Sequence, residues 1–222
     1  MNLSDVSILR LVSQQINAKK FNNVKNIVSW MCAMQAQDYA MAKWAIGIRL
    51  TNSNENIIRN AINKGEILRT HLLRPTWHFV SVDDISWILK LTAPKIKASL
   101  KHRQKYLGLS QAVLTKSDKI IIKALRNRKN LTREELKIEL EKAKIPTDNN
   151  RLSHILVSAE LDGIVCSGPE KGNKPTYALL SERAPNKQNL TKDESLAELA
   201  KRYFSSHSPA TIQDFHGGPV YP

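Results

Sequence analysis

Cysteine is nearly absent from this 222-residue chain: Cys32 and Cys166 are the only two. That scarcity excludes a disulfide-stapled scaffold and leads us to expect a reducing, cytoplasmic setting. No CxxC or HExxH pattern occurs, and the six histidines form no i, i+3 or i, i+4 pairs, so neither a metal centre nor another cofactor is expected. Glycine is also scarce, with eight residues and no GxGxxG, GxxxxGK[ST] or GxSxG arrangement. A phosphate-cradling loop and a nucleophile elbow are therefore not in view. No apolar run approaches the ~20 residues needed to cross a bilayer, and no membrane association is expected. The opening MNLSDVSILRLVSQQI lacks a basic stretch ahead of an apolar one, so no secretory signal is expected either.

Charge is plentiful and unevenly placed. The chain carries 34 Lys+Arg against 20 Asp+Glu, a net of +14. Residues 1–89 contribute +4 and residues 152–222 contribute −1, whereas residues 90–151 hold 17 basic and 6 acidic side chains, a net of +11. A basic block is commonly just a solvated surface. Concentration of this degree points instead to a polyanion, and nucleic acid is the expected partner.

Periodicity predicts a mainly α protein with small β-hairpins, α+β in class. Ile8, Leu11, Val12 and Ile16 form a helical stripe, and Val24 to Met34 form another. Asp38 is the expected N-cap of a helix carrying Ala40, Met41, Trp44, Ala45 and Ile48, and Gly65 the stop of a short helix around Ile57–Ile62. Residues 67–80 read as a hairpin interrupted by Pro75. Ser81-Val82-Asp83-Asp84 resembles a capping box, and Pro94 is expected to begin a new, basic helix. Farther on, a helix from Val113, a Thr132 capping box, a helix Arg151–Leu161 and a hairpin around the flexible loop Gly168–Pro175 follow in winged helix-turn-helix order. Tandem winged-helix units are the expectation. They divide the chain into 1–92, a basic linking helix 93–109, a second winged helix 110–185, and the incomplete start of a third at 186–222, with a tail from His216.

Two constellations carry chemistry. Gln35-Ala36-Gln37 falls between an apolar stripe and the Asp38 cap, so it is expected to be non-helical. Extended backbone there turns both amides to one side, into a shared cleft. Most such glutamines merely satisfy backbone groups at a helix junction, and that reading stays open. The second constellation is Arg69, His71, Arg74, Thr76 and His78 in the hairpin. Alternation gives Arg69 and His71 a common face, and likewise Thr76 and His78. Either this is an ordinary wing, with Leu72, Trp77 and Phe79 inward and the basic residues solvated, or a cationic edge that touches phosphates or orients the glutamines. Lys101, Arg103, Lys105, Arg151, Lys171 and Lys174 complete the expected contacts to nucleic acid.

Met34-Gln35-Ala36-Gln37-Asp38, Arg69-Thr70 and Arg74-Pro75-Thr76-Trp77-His78, with Tyr203-Phe204 and Ser208 to Phe215 later, resemble the AlkZ/YcaQ-type winged-helix DNA glycosylases. The Gln-apolar-Gln form resembles the AlkZ branch. This resemblance implies excision of N7-alkylated guanines from double-stranded DNA, in some members from interstrand crosslinks, with Gln35 and Gln37 as the catalytic pair and Thr76 and His78 in support. No lysine lies within five residues of the motif, so Schiff-base lyase chemistry is not expected. A monomer is expected. A winged-helix regulator that places helix Arg151–Leu161 in a DNA groove is the alternative.

Overall fold

The computed structural model describes residues 2–18, 20–127, 129–186 and 188–217. An N-terminal helix, α1 (Leu3–Ser13), begins at an Asn2 capping box. Its expected apolar stripe is not a core face: α1 has no buried residue, and Ile8 and Leu11 remain exposed. The reason is that α1 packs mainly on α10 (below), with Trp30 and Asp214 reaching only its last turns, so much of the helix stays uncovered.

A first winged-helix unit follows: α2 (Val24–Trp30), β1 (Ala33–Gln35), α3 (Tyr39–Gly47), α4 (Glu55–Lys64), β2 (Ile67–Leu72) and β3 (Thr76–Ser81). Short polar side chains start its helices. Asn23, Asp38 and Asn54 accept hydrogen bonds from the backbone N–H three residues on, at 3.0–3.1 Å. Gly65 ends α4 at φ +80°, a conformation that costs glycine little. The sheet is antiparallel in the order β1-β3-β2. Register sorts its side chains: Met34, Ile67 and Phe79 pack against α2–α4, while Leu68, Leu72 and Val80 pack against the helices that follow.

One 22-residue helix, α5 (Ile85–Tyr106), then runs straight through Pro94. Pro94 lies exposed within the helix and does not begin it. Ile88, Leu89, Leu91 and Ala93 before it and Ile96 after it are all buried, and this packing outweighs the lost backbone bond. Asp84 precedes α5 without capping it; its carboxylate is engaged elsewhere in the fold.

The second unit repeats the first in order: α6 (Gln111–Leu125), β4 (Leu131–Thr132), α7 (Arg133–Lys142), α8 (Arg151–Leu161), β5 (Val165–Ser167) and β6 (Thr176–Leu179), with sheet order β4-β6-β5. The Thr132–Glu135 capping box opens α7 as the sequence predicts. A short α9 (Leu180–Arg183), then α10 (Lys192–His207) behind the Thr191–Glu194 capping box, and α11 (Ile212–Gly217) complete the fold. Of the expected tail, residues 218–222 lie outside the described residues. No helix among the described residues is long and apolar enough to cross a membrane.

Candidate active site

Gln35 and Gln37 sit on the open edge of the first sheet. β1 pairs with β3 alone, Gln35 opposite His78, and the N–H of Ala36 donates to the Trp77 carbonyl at 2.7 Å. Extended backbone here buries Ala36 and leaves both glutamines exposed on either side of it. Gln37 accepts, through Oε1, from the backbone N–H of Trp77 at 3.4 Å. Arg69 holds the segment from behind. Its Nε and Nη2 donate to the Ala36 carbonyl at 3.0 and 2.8 Å, and Nη2 also reaches the Gln37 carbonyl at 3.4 Å. The guanidinium lies 4.3 Å from the Trp77 ring centroid and 5.1 Å from that of Tyr39, which favours a cation at that spot.

Beside Gln35 opens a cleft of about 370 Å³ between β1, the β2–β3 turn, α3 and α10. Cys32, Arg49, Arg74, Thr76, His78 and His207 contribute to its walls, and among the described residues no carboxylate or lysine does. Arg49 is buried, with Nη1 donating to the Ala45 carbonyl and Nη2 to Gln14 Oε1. Burial pushes the Cys32 thiol up to about 12 and draws His78 down to about 4, with His71 and Arg74 adding repulsion at His78. Burial also lowers His207 and His154.

These histidines set an acid limit on the fold. A ring whose folded pKa is depressed binds its proton only in the unfolded chain between the two values, so stability falls as pH drops from about 6.5 through about 4. Asp118, raised to about 6 by burial, works in the opposite sense over part of that range, since it is protonated first in the folded state. Urea unfolding at pH 7.0, 6.0 and 5.0 is expected to give a falling midpoint, with a smaller fall for His78→Asn. A flat profile would contradict the burial of His78.

The hairpin departs from the solvated wing. His71 is 5 % and His78 3 % exposed; only Arg74 and Pro75, at the turn, are open to solvent. Leu72 also points away from Trp77 and Phe79, because the register puts Arg69, His71, Trp77 and Phe79 on one face and Thr70, Leu72, Thr76 and His78 on the other. His71 therefore faces α8, not solvent or nucleic acid: its Nδ1 hydrogen-bonds Glu160, whose Oε1 accepts from Trp77 Nε1 at 3.2 Å. The loop Gly168–Pro175 is not a free tip. Glu170 accepts from Tyr39 Oη at 2.7 Å and pairs with Arg59 at 3.1 Å, pinning the second unit's wing onto α3 and α4.

The remaining basic residues are dispersed. Lys101, Arg103 and Lys105 are exposed on the last turns of α5 and do not line the cleft. Arg151 donates to the Leu107 carbonyl and pairs with Asp148. Lys171 pairs with Glu135, and Lys174 lines a separate hollow between the two units. Helix α8 has no exposed residue at all, lying against α5, α6, β2 and β5. Tyr203 figures in the sequence resemblance with no place in the cleft, whereas Arg49, His207 and Glu160 escaped the sequence reading. Glu160 alone left a trace there, as the single charge in the run Ile155-Leu156-Val157-Ser158-Ala159-Glu160-Leu161.

The family model described as DNA glycosylase AlkZ-like matches residues 28–218. The chain belongs to this family. An interstrand DNA cross-link repair glycosylase of Streptomyces sahachiroi is 23% identical over 216 residues, covering 93% of this chain and 57% of that protein. The solved structure of Streptomyces sahachiroi DNA glycosylase AlkZ superposes with a TM-score of 0.76 at 19% identity, over 97% of this chain and 60% of that one. The chain thus spans somewhat more than half the length of these AlkZ-like relatives, and it shares their fold.

Proposed function

We propose that the protein is a DNA glycosylase that hydrolyses the N-glycosidic bond of N7-alkylated, cationic purines in double-stranded DNA, interstrand crosslinks among them. The observation that carries this reading is the pair of exposed amides, Gln35 and Gln37, on an open strand edge beside a cleft without a carboxylate. An N7-alkylated purine is already positively charged and leaves readily, so the sugar passes through an oxocarbenium-like state. Oriented amide dipoles and a positioned water suffice for such a substrate. A neutral purine would need protonation, and among the described residues the cleft has no carboxylic acid to supply it. Family membership, the net charge of +14 and the exposed arginine at the cleft mouth, Arg74, support DNA as the partner.

The reaction is monofunctional in this reading. A lyase step requires a lysine at the sugar, whereas Lys43, the lysine nearest the motif in sequence, pairs with Glu55 and Glu170. The packing of α8 against α5, α6, β2 and β5 weighs against the regulator alternative, because it leaves no residue of the helix fully exposed to enter a groove and only Arg151, Ser153, His154 and Val157 half-buried.

DNA bearing N7-methylguanine, incubated with the protein, is expected to release free base without strand cleavage. Gln35→Ala and Gln37→Ala are each expected to slow release by about 10²–10³-fold with DNA affinity unchanged. No release by a folded, DNA-binding preparation would overturn the proposal.

A further inference from the structure

His78 is fixed in a way that a merely structural histidine would not need. Its Nδ1 lies 3.0 Å from the Thr76 carbonyl oxygen. A carbonyl only accepts, so Nδ1 carries the ring proton. Nε2 has no hydrogen-bond partner among the described residues and is open to the cleft. In the same cleft the Thr76 hydroxyl is buried without a partner. Gln35 stands directly across the strand pair from His78, at a separation of about 5 Å for Cβ atoms in such pairs. A bare ring nitrogen, an unsatisfied hydroxyl and an exposed amide thus converge on one wall.

We propose that His78 is a catalytic residue of the hydrolysis, its Nε2 accepting the attacking water's proton while Gln35 and Thr76 hold that water by hydrogen bonds. This rests on the glycosylase reading above. The step balances without any further reactant. The C1′–N9 bond breaks with its electron pair going to the purine, which leaves as the neutral alkylated base. The water oxygen bonds to C1′, and its proton passes to Nε2 and from there to solvent. Burial draws the ring's pKa down to about 4 and so keeps it neutral at physiological pH. A weak base is enough here, because water bonding to an oxocarbenium-like carbon is itself strongly acidic. Its competitors in the cleft are less suited. The Cys32 thiol stays protonated up to about 12, and His207 is carried by α10 on another wall, whereas His78 is the ring paired directly with Gln35.

Single-turnover release from N7-methylguanine DNA tests the assignment. His78→Asn is expected to slow release about 10²-fold while binding DNA with a stable abasic analogue as tightly as the unsubstituted protein. His78→Ala is expected to be slowed similarly and to recover part of its rate on addition of imidazole. Release by His78→Asn at the unsubstituted rate, alongside an inactive Gln35→Ala, would overturn the assignment and leave the glycosylase reading standing. Loss of release together with DNA binding, with no rescue by imidazole, would also overturn it and make the role structural. Nitrogen-15 shifts of the histidines in the unsubstituted protein at pH 7 give a readout independent of any variant. A neutral ring protonated at Nδ1 supports the proposal, and a proton on Nε2 overturns it. If the unsubstituted protein releases no base, the glycosylase reading fails and takes this inference with it.

Discussion

Glu160→Ala is expected to lower stability by about 3–5 kcal/mol, seen as a large fall in the urea midpoint. The carboxylate is 1 % exposed and is shared by three groups of the first unit: the His71 ring, the His71 backbone N–H at 3.1 Å and Trp77 Nε1 at 3.2 Å. Removing it strands all three in a site that water does not reach freely, and each buried polar group without a partner costs on the order of 1–3 kcal/mol. Glu160→Gln keeps one acceptor in place and is expected to cost about half as much. The effect should reach the active site, since Trp77 stacks on Arg69 and its backbone meets Ala36 and Gln37. Base release should therefore slow in Glu160→Ala even at temperatures where the protein is fully folded. A midpoint within about 0.5 kcal/mol of the unsubstituted protein would show that this contact between the units carries little.

How much of this was legible in the sequence depends on how local each signal is. Asp38, Gly65 and Thr132 mark helix ends through bonds to the adjoining turn, and all three stand where the sequence places them. The Gln35–Gln37 stretch reads as extended because a cap follows it at once. That it forms a third strand was not legible, because three residues are too few to show alternation and the pairing partner lies more than 40 residues away. The hairpin histidines failed for the same reason. Whether His71 is solvated is decided by Glu160, 89 residues later, arriving on a different winged-helix unit. Pro94 and Asp84 failed in the opposite direction, since each carries a strong local signal that tertiary packing overrules. Arg49 and His207 belong to the cleft only because α3 and α10 converge there, and nothing near either residue in the chain announces it.

Asp84→Ala is expected to be comparably severe, and for a reason that bears on the cleft. Asp84 Oδ1 accepts from Trp87 Nε1 at 3.1 Å, and Oδ2 accepts from Ser29 Oγ at 2.9 Å and Arg202 Nη1 at 2.6 Å. Its side chain is 2 % exposed, and Arg202 belongs to α10, so this one carboxylate ties α2, α5 and α10 together. Replacing a buried pair with apolar groups can be neutral, but deleting one partner leaves the other charge uncompensated, at about 3–5 kcal/mol. Arg202 keeps Glu198 and the Ser29 carbonyl, which places the expected loss nearer the lower figure. The double variant Asp84→Ala/Arg202→Ala should then lose less than the two single variants added together, because the stranded cation is gone. Loosening α10 should also uncover the cleft wall formed by Leu199, Tyr203 and His207, behind which Cys32 is buried. Thiol modification under native conditions reads this directly. Cys32 should react faster in Asp84→Ala than in the unsubstituted protein, while Cys166, in the same core cluster but beside Arg183 and Glu160 and not Asp84 and Arg202, should change little. Equal acceleration at both cysteines would mean that the whole fold had loosened and that Asp84 does not act through α10. Selective exposure of Cys32 would mark α10 as the movable wall of the site, the element whose position sets how deeply a DNA sugar can approach Gln35.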